Sequence, residues 1–300
     1  MDLHLAARHL GAALEPFVGA VFFAPEVHAA YEAVGFDPSP GLFNGVAAPE
    51  MCAYFTSRGS LLGDVPGEVV AATFAVFRPQ MVVEAVTAGR ARIAMPTLRG
   101  IRREAAVAAL RRILGPRPDG VDVVRDLLGR AASPLRPEGR ALYAGVLAIP
   151  LDDDPLAAAW QLGEQLREFR GDAHTAAWTA AGFDATEIGI LTELYWGLRP
   201  YTYTRTRGWD RAGHEAAIDR LRARGLVVGD EFTDAGRAAR EAVEEATDRQ
   251  VRPALDALGD DLDALLDALR PWSAAVRAAG CYPATGPHEP AVQARATPLL

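Results

Sequence analysis

Helical apolar spacing fills this chain between prolines and glycines that sit where helices begin and end. A strand-like pattern occurs once. Leu3, Leu5, Ala6, Leu10 and Leu14 keep a helical spacing that Pro16 and Pro25 interrupt. Pro25-Glu26 suits the first turn of a second helix through Val27, Ala30, Tyr31 and Val34, closed by Gly35. Residues 36–66 read as loop, broken at Asp37-Pro38-Ser39-Pro40-Gly41, Asn44-Gly45 and Pro49. Further helices are expected from Pro66-Gly67-Glu68 to before Pro79, from Leu98 to Leu114, and over 121–132 and 138–148. Asp152-Asp153-Asp154-Pro155 caps a long helix from Pro155 to about Ala181, and a domain boundary is placed there. Residues 1–150 are thus expected as a helical N-terminal domain, and the fold class is mostly α.

The second half opens with Asp184-Ala-Thr-Glu187, a capping-box pattern in front of Ile188, Leu191 and Leu194. Gly197 and Pro200 end that helix, Tyr201–Arg207 is a connecting turn, and Asp210 caps a helix that buries Ala217, Ile218 and Leu221. Leu226-Val227-Val228-Gly229-Asp230-Glu231-Phe232 is the strand-like run, a short β-hairpin about a Gly-Asp turn. Thr233 caps a helix to about Gln250, and Pro253 starts another carrying Leu255, Leu258, Leu262, Leu265 and Leu269. Gly280 to Leu300 holds Pro283, Pro287, Pro290 and Pro298, and residues 281–300 are expected to form a flexible tail.

The run Ile218-Asp-Arg-Leu-Arg-Ala-Arg-Gly-Leu-Val-Val-Gly-Asp-Glu-Phe-Thr-Asp-Ala-Gly-Arg237 resembles the winged helix-turn-helix of the multiple-antibiotic-resistance regulators. Phe232 stands where that family has leucine. The likeness covers roughly 184–250 and implies a winged helix-turn-helix within 151–280, between a helical linker and a C-terminal helix. A wider likeness is carried by Phe22-Phe-Ala-Pro-Glu26, Asn44-Gly-Val-Ala-Ala-Pro49, Glu68-Val-Val-Ala-Ala-Thr-Phe74 and Arg170-Gly-Asp-Ala-His174. Over most of its length the chain resembles an actinobacterial family, of largely unassigned role, that joins a helical N-terminal domain to a winged helix. That resemblance implies a histidine ahead of the Arg-Gly-Asp element, where this chain has Phe169.

Charge argues against the DNA function that the winged helix suggests. The formal net charge is −8, and Lys plus Arg is 31 with no lysine among them, which removes Schiff-base chemistry and the P-loop lysine. Residues 1–150 hold 15 Arg against 14 acids, whereas 151–300 hold 16 Arg against 25. Across 184–250 there are 10 Arg and 13 acids, and the hairpin tip is Asp230-Glu231. Each missing phosphate contact removes counterion-release affinity, so DNA is possible as a partner but disfavoured. The arginines Arg90, Arg92, Arg99, Arg102, Arg103, Arg111, Arg112 and Arg117 lie outside the winged helix. They read either as a solvated face or as a docking surface for an acidic partner, such as a carrier protein.

Chemistry concentrates in Glu168-Phe-Arg-Gly-Asp-Ala-His-Thr-Ala-Ala-Trp178. Arg170, His174 and Trp178 are spaced by four and share one helix face. Asp172 lies about 160° around the helix from His174, so it faces elsewhere. Two readings stand: a site for an anionic or aromatic ligand with His174 as acid or base, or a packed seam between the two halves. The preferred reading assigns catalysis to His174 and Asp172. It assigns substrate binding to Arg170, Trp178, Asn44 and Thr73. Thr73 has its own bland reading, a bond back to its helix. No metal site and no cofactor are implied, since His-Glu-x-x-His, Cys-x-x-Cys, Gly-x-Ser-x-Gly and Gly-x-Gly-x-x-Gly are all absent.

Two cysteines, Cys52 and Cys281, do not make a disulfide framework, no signal-peptide pattern is read, and the apolar runs near Val18–Ala24 and Val69–Phe77 are too short to span a bilayer. A cytoplasmic protein without membrane contact is expected, homo-oligomeric or in a hetero-complex. The functional expectation is a cofactor-independent small-molecule-binding protein, an enzyme of bacterial specialised metabolism using acid–base or internal-displacement chemistry on an anionic intermediate. The alternatives are a ligand-responsive winged-helix transcription regulator and a protein that sequesters a drug.

Overall fold

A computed structural model describes residues 2–283, and the architecture is mostly helical. In chain order the first elements are α1 (Leu3–Phe23), α2 (Pro25–Glu32), the hairpin β1 (Leu42–Phe43) and β2 (Val46–Ala47), α3 (Met51–Gly59) and α4 (Gly67–Phe74). There follow α5 (Pro79–Arg90), α6 (Met95–Leu114), α7 (Val121–Ala132), α8 (Ala141–Leu147) and the long α9 (Pro155–Ala180). The last group is α10 (Ala185–Tyr195), α11 (Tyr203–Thr206), α12 (Arg211–Ala223), the hairpin β3 (Val227–Val228) and β4 (Glu231–Phe232), α13 (Asp234–Leu258) and α14 (Leu262–Ala278).

The capping chemistry explains most of these boundaries. Asp154 accepts the Ala157 N–H at the start of α9, and the Asp184/Glu187 capping box opens α10. β3 and β4 pair antiparallel with Val227 opposite Phe232, around Gly229 at positive φ. Helix α3 was expected as loop; Glu50 starts it by accepting the N–H groups of Cys52 and Ala53. Asn44 and Gly45, also expected as loop, turn the hairpin β1–β2, and both have positive φ as a tight turn requires.

Two prolines expected to break helices do not. Pro16 lies inside α1, and Pro253 lies inside α13, which runs on to Leu258. Pro253 is on the solvent face, where the unbonded carbonyl of Arg249 meets water rather than the core. The break falls instead at Gly259, at a φ of 54°.

The largest apolar cluster draws on α1, α6, α7, α9, α13 and α14, and it crosses residue 150, with Tyr143 on one side and Leu156 on the other. Cys281 and Tyr282 are packed into it rather than loose, and the rest of the expected tail lies outside the described residues. Gly19 makes room for that packing, since a Cβ there would lie 2.7 Å from the Tyr282 ring. Leu3–Glu32 is long and apolar enough to cross a membrane by length and composition, yet 72% of its apolar window is buried within the fold. A second cluster joins the end of α9 to α10, α12, β3 and α13 (Trp178, Phe183, Ile190, Leu191, Leu221 and Val243), and a third joins α3, α4, α5 and α8. The space between these last two clusters is the site.

Candidate ligand cleft

A cleft of about 630 Å³ lies between the α3–α5 layer and the face of α9 that continues into α10 and α11. Its size falls within the range of small-molecule sites. Phe22, Tyr54, Phe74 and Phe77 line one side, and Trp178, Trp196 and Tyr203 come from α9 onward. The β1–β2 hairpin reaches the same cleft through Phe43.

Arg170, Asp172, His174, Trp178 and Thr73 all line this cleft, as a common site requires. Asn44 does not. It is exposed at the hairpin turn, where its left-handed backbone is the reason for its type.

Within the cleft the roles differ from those expected. Arg170 was expected to hold an anionic group, but its guanidinium donates to Glu244 Oε2 at 3.0 Å and Asp248 Oδ1 at 3.3 Å. It ties α9 to α13. Asp172 is 7% exposed and turns to α8, where its Oδ2 accepts the Tyr143 N–H at 3.0 Å. Arg140, at the N-cap of α8, supplies no side-chain cap, so Asp172 serves that helix end from a neighbouring helix. Burial raises the Asp172 carboxyl to about 6, against the pull of that backbone donor.

His174 is half-buried, with Nδ1 3.1 Å from Thr247 Oγ1. The Thr247 hydroxyl already donates to the Val243 carbonyl at 2.8 Å, so it accepts from the imidazole. Nδ1 therefore carries the hydrogen in the neutral ring, and Nε2 is the basic nitrogen. Trp178 is 4% exposed, and its indole Nε1 has no hydrogen-bond partner among the described residues. Thr73 Oγ1 donates back to Val69 O at 2.8 Å.

Beneath this face runs a buried ion-pair layer. Glu168 takes Arg58 at 2.7 Å and Arg167 at 2.8 Å, and Arg167 also binds Glu15. Burial pushes the Glu168 carboxyl up, but Arg58 and Arg167 outweigh it and hold it down to about 2. Phe169, where the resemblance implied a histidine, is buried against Tyr143 and beside Arg140. No cluster of three His, Cys, Asp or Glu side chains among the described residues has the arrangement of a metal site.

The run Tyr201-Thr-Tyr-Thr-Arg-Thr-Arg-Gly-Trp209 interleaves arginines with aromatics, a pattern that suits stacking on single-stranded bases or a turn of the winged helix, and neither reading places it in a ligand cleft. Arg205 and Arg207 both reach the cleft wall. The signal was present in the sequence: no acid occurs from Leu194 to Trp209.

Three arginines at the end of the helix-turn-helix's α12 have carboxylate partners, whereas Arg211 at its start lies over the Tyr201 ring. On α12 and just beyond it, Arg220 pairs with Asp184 and Glu187, Arg222 with Asp219 and Asp230, and Arg224 with Glu187. Ala212, Glu215, Ala216 and Asp219 are exposed on α12, as are Arg211, Arg220 and Arg222. In the basic segment of α5–α6, Arg102, Arg103, Arg111 and Arg112 are likewise paired, with Glu164, Asp152, Asp154 and Glu26.

Comparison with known proteins gives one match, to a family described as a helix-turn-helix family, over residues 7–283. No curated protein and no solved structure matches the chain.

Proposed function

The chain belongs to that helix-turn-helix family, and we propose from this premise that it binds a small aromatic molecule in the cleft, with the winged helix serving as one wall. The observation that carries this reading is the lining of a single 630 Å³ space by aromatic side chains from both flanking layers. Aromatic rings on two sides suit a planar ligand, which they hold by stacking and apolar burial. His174 lies on the same wall, and Thr247 fixes its tautomer so that Nε2 can accept or return a proton. The reaction class that follows is acid–base or internal-displacement chemistry on the bound molecule.

The test is a fluorescence titration with N-phenyl-1-naphthylamine, a neutral aromatic probe. Saturable binding is expected. Thr175→Trp, which fills the cleft from α9, is expected to abolish it without lowering the melting temperature. Probe binding that is unsaturable, or unchanged in Thr175→Trp, overturns the reading.

A second reading, a DNA-binding regulator that responds to the cleft's ligand, is favoured by family membership and by one geometric fact. The Tyr203–Gly208 wall of the cleft leads directly into α12, so a bound ligand touches the segment that sets that helix's position. Ligand-dependent fluorescence anisotropy of a labelled duplex from upstream of the gene separates the two.

A further inference from the structure

Carboxylates neutralise many of the arginines that enter the fold among the described residues. One place where they do not is where two acid-free segments, 69–83 and 194–209, meet. Their meeting is fixed by the backbone: the Arg78 N–H donates to the Arg207 carbonyl at 2.9 Å, and Trp209 Nε1 donates to Val76 O at 3.0 Å. Gly208 permits the approach. Its φ is +82°, and a Cβ there would lie 2.7 Å from Met81 Cε.

The same junction is built from the helix-turn-helix side by Glu193. This carboxylate is 1% exposed and accepts the N–H groups of Tyr201, Tyr203 and Thr204, at 2.9, 2.8 and 2.8 Å, and the Thr204 hydroxyl at 3.0 Å. With its acceptor capacity spent on that turn, Glu193 positions the segment that follows, which delivers Arg205 and Arg207 to the cleft.

Arg207 is held against two aromatic rings. Its guanidinium carbon lies 4.1 Å from the Tyr203 ring centroid and 4.9 Å from that of Phe77. Stacking of this kind occupies the faces and leaves the in-plane N–H groups to bind. One of them donates to the Thr206 hydroxyl at 3.2 Å. Nε is buried without a hydrogen-bond partner, and neither Arg205 nor Arg207 has a carboxylate within ion-pair distance among the described residues. A half-buried cation within cation–π distance of two rings, on the wall of an aromatic cleft, is placed to take an anion.

We propose that Arg207, with Arg205, forms an oxyanion subsite at the helix-turn-helix end of the cleft, so that the ligand is an aromatic molecule bearing a carboxylate, sulfonate or phosphate. The subsite rests on the reading of the cleft as a ligand pocket. The planar fork of Arg207 bonds two oxygens of such a group side by side, while the ring system lies against Phe74, Phe77 and Trp178.

Two probes that share one aromatic body test this: 8-anilino-1-naphthalenesulfonate carries a sulfonate and N-phenyl-1-naphthylamine does not. In the wild-type chain the sulfonate is expected to bind the more tightly. Arg207→Gln is expected to weaken it about tenfold or more while the neutral probe changes less than about twofold, the signature of one lost charge-assisted pair. Arg207→Lys is expected to fall between, because a point charge lacks the fork. Equal loss of both probes in Arg207→Gln makes Arg207 structural and overturns the subsite. An unchanged sulfonate affinity also overturns it, and the pocket reading then stands alone. Failure of the neutral probe to bind saturably overturns the pocket and the subsite together.

Discussion

Asp172 Oδ2 accepts the Tyr143 backbone N–H at 3.0 Å, so the carboxylate nearest His174 in sequence belongs to the end of α8. Two residues apart on one helix, they serve different neighbours, and His174 takes its orientation from Thr247 on α13.

The Asp172 carboxyl sits at about 6 in the fold, chiefly through burial, against an ordinary value of 3.8. The folded state therefore holds this proton more tightly than the unfolded chain. The stability it contributes is fully present below the unfolded value and is lost as pH rises through about 6. Asp172→Asn keeps an acceptor for Tyr143 without the charge. Its melting temperature is expected to match the wild type at acid pH and to exceed it at neutral pH. A variant less stable than wild type at neutral pH contradicts this assignment.

Glu168 behaves in the opposite sense. Its carboxyl is held at about 2, so its contribution is present above the ordinary value of 4.5 and is lost as pH falls toward 2. Glu168→Gln leaves Arg58 and Arg167 buried beside a neutral amide, which costs about 3–5 kcal/mol for a broken buried pair. Urea unfolding at neutral pH measures it, and a loss below about 1 kcal/mol, the size of an exposed pair, is the contrary result.

For His174, nitrogen-15 NMR of the imidazole should show the hydrogen on Nδ1 in the neutral ring. Thr247→Val removes the acceptor and is expected to shift the population toward the Nε2–H tautomer. A wild-type ring already protonated at Nε2 contradicts the proton role given to that nitrogen.

Gly208→Ala forces a left-handed backbone on alanine and drives its Cβ into Met81. A cost of about 1–3 kcal/mol is expected from the strained conformation alone. The sulfonate probe should lose more affinity than the neutral one, because Arg207 is the neighbour displaced. Equal losses would detach Gly208 from the arginine.

Duplex DNA should bind weakly. Arg220, Arg222 and Arg224 are paired within the winged helix and the wing tip is acidic, which leaves Arg211 as the exposed cation of α12 without an ion pair among the described residues. Anisotropy is expected to give a dissociation constant above about 10⁻⁴ M at physiological salt, the weak end of non-specific binding. Tighter binding with a steep salt dependence favours the regulator.

Local chemistry was legible in the sequence where a few neighbouring residues decide the outcome. The Asp154 cap, the Asp184/Glu187 box and the Gly229 hairpin each depend on contacts within a few positions. Pro253 was misread because its effect depends on which face meets water, a property of packing that spacing does not reveal. The face of α9 that carries Arg170, His174 and Trp178 was legible from spacing by four. The pairing of Arg170 was not, because Glu244 and Asp248 lie more than seventy positions along the chain. For Arg205 and Arg207 the acid-free, aromatic-rich run is visible in the sequence, whereas their place on the cleft wall is not, because it depends on contacts with residues 76 and 78, more than a hundred positions away.

Hydrogen–deuterium exchange with and without N-phenyl-1-naphthylamine addresses the cleft itself. If it binds a small molecule between its two walls, exchange slows together in Thr73–Arg78 and Tyr203–Gly208. Saturating probe that leaves both segments unchanged, or protects only distant helices, contradicts the account.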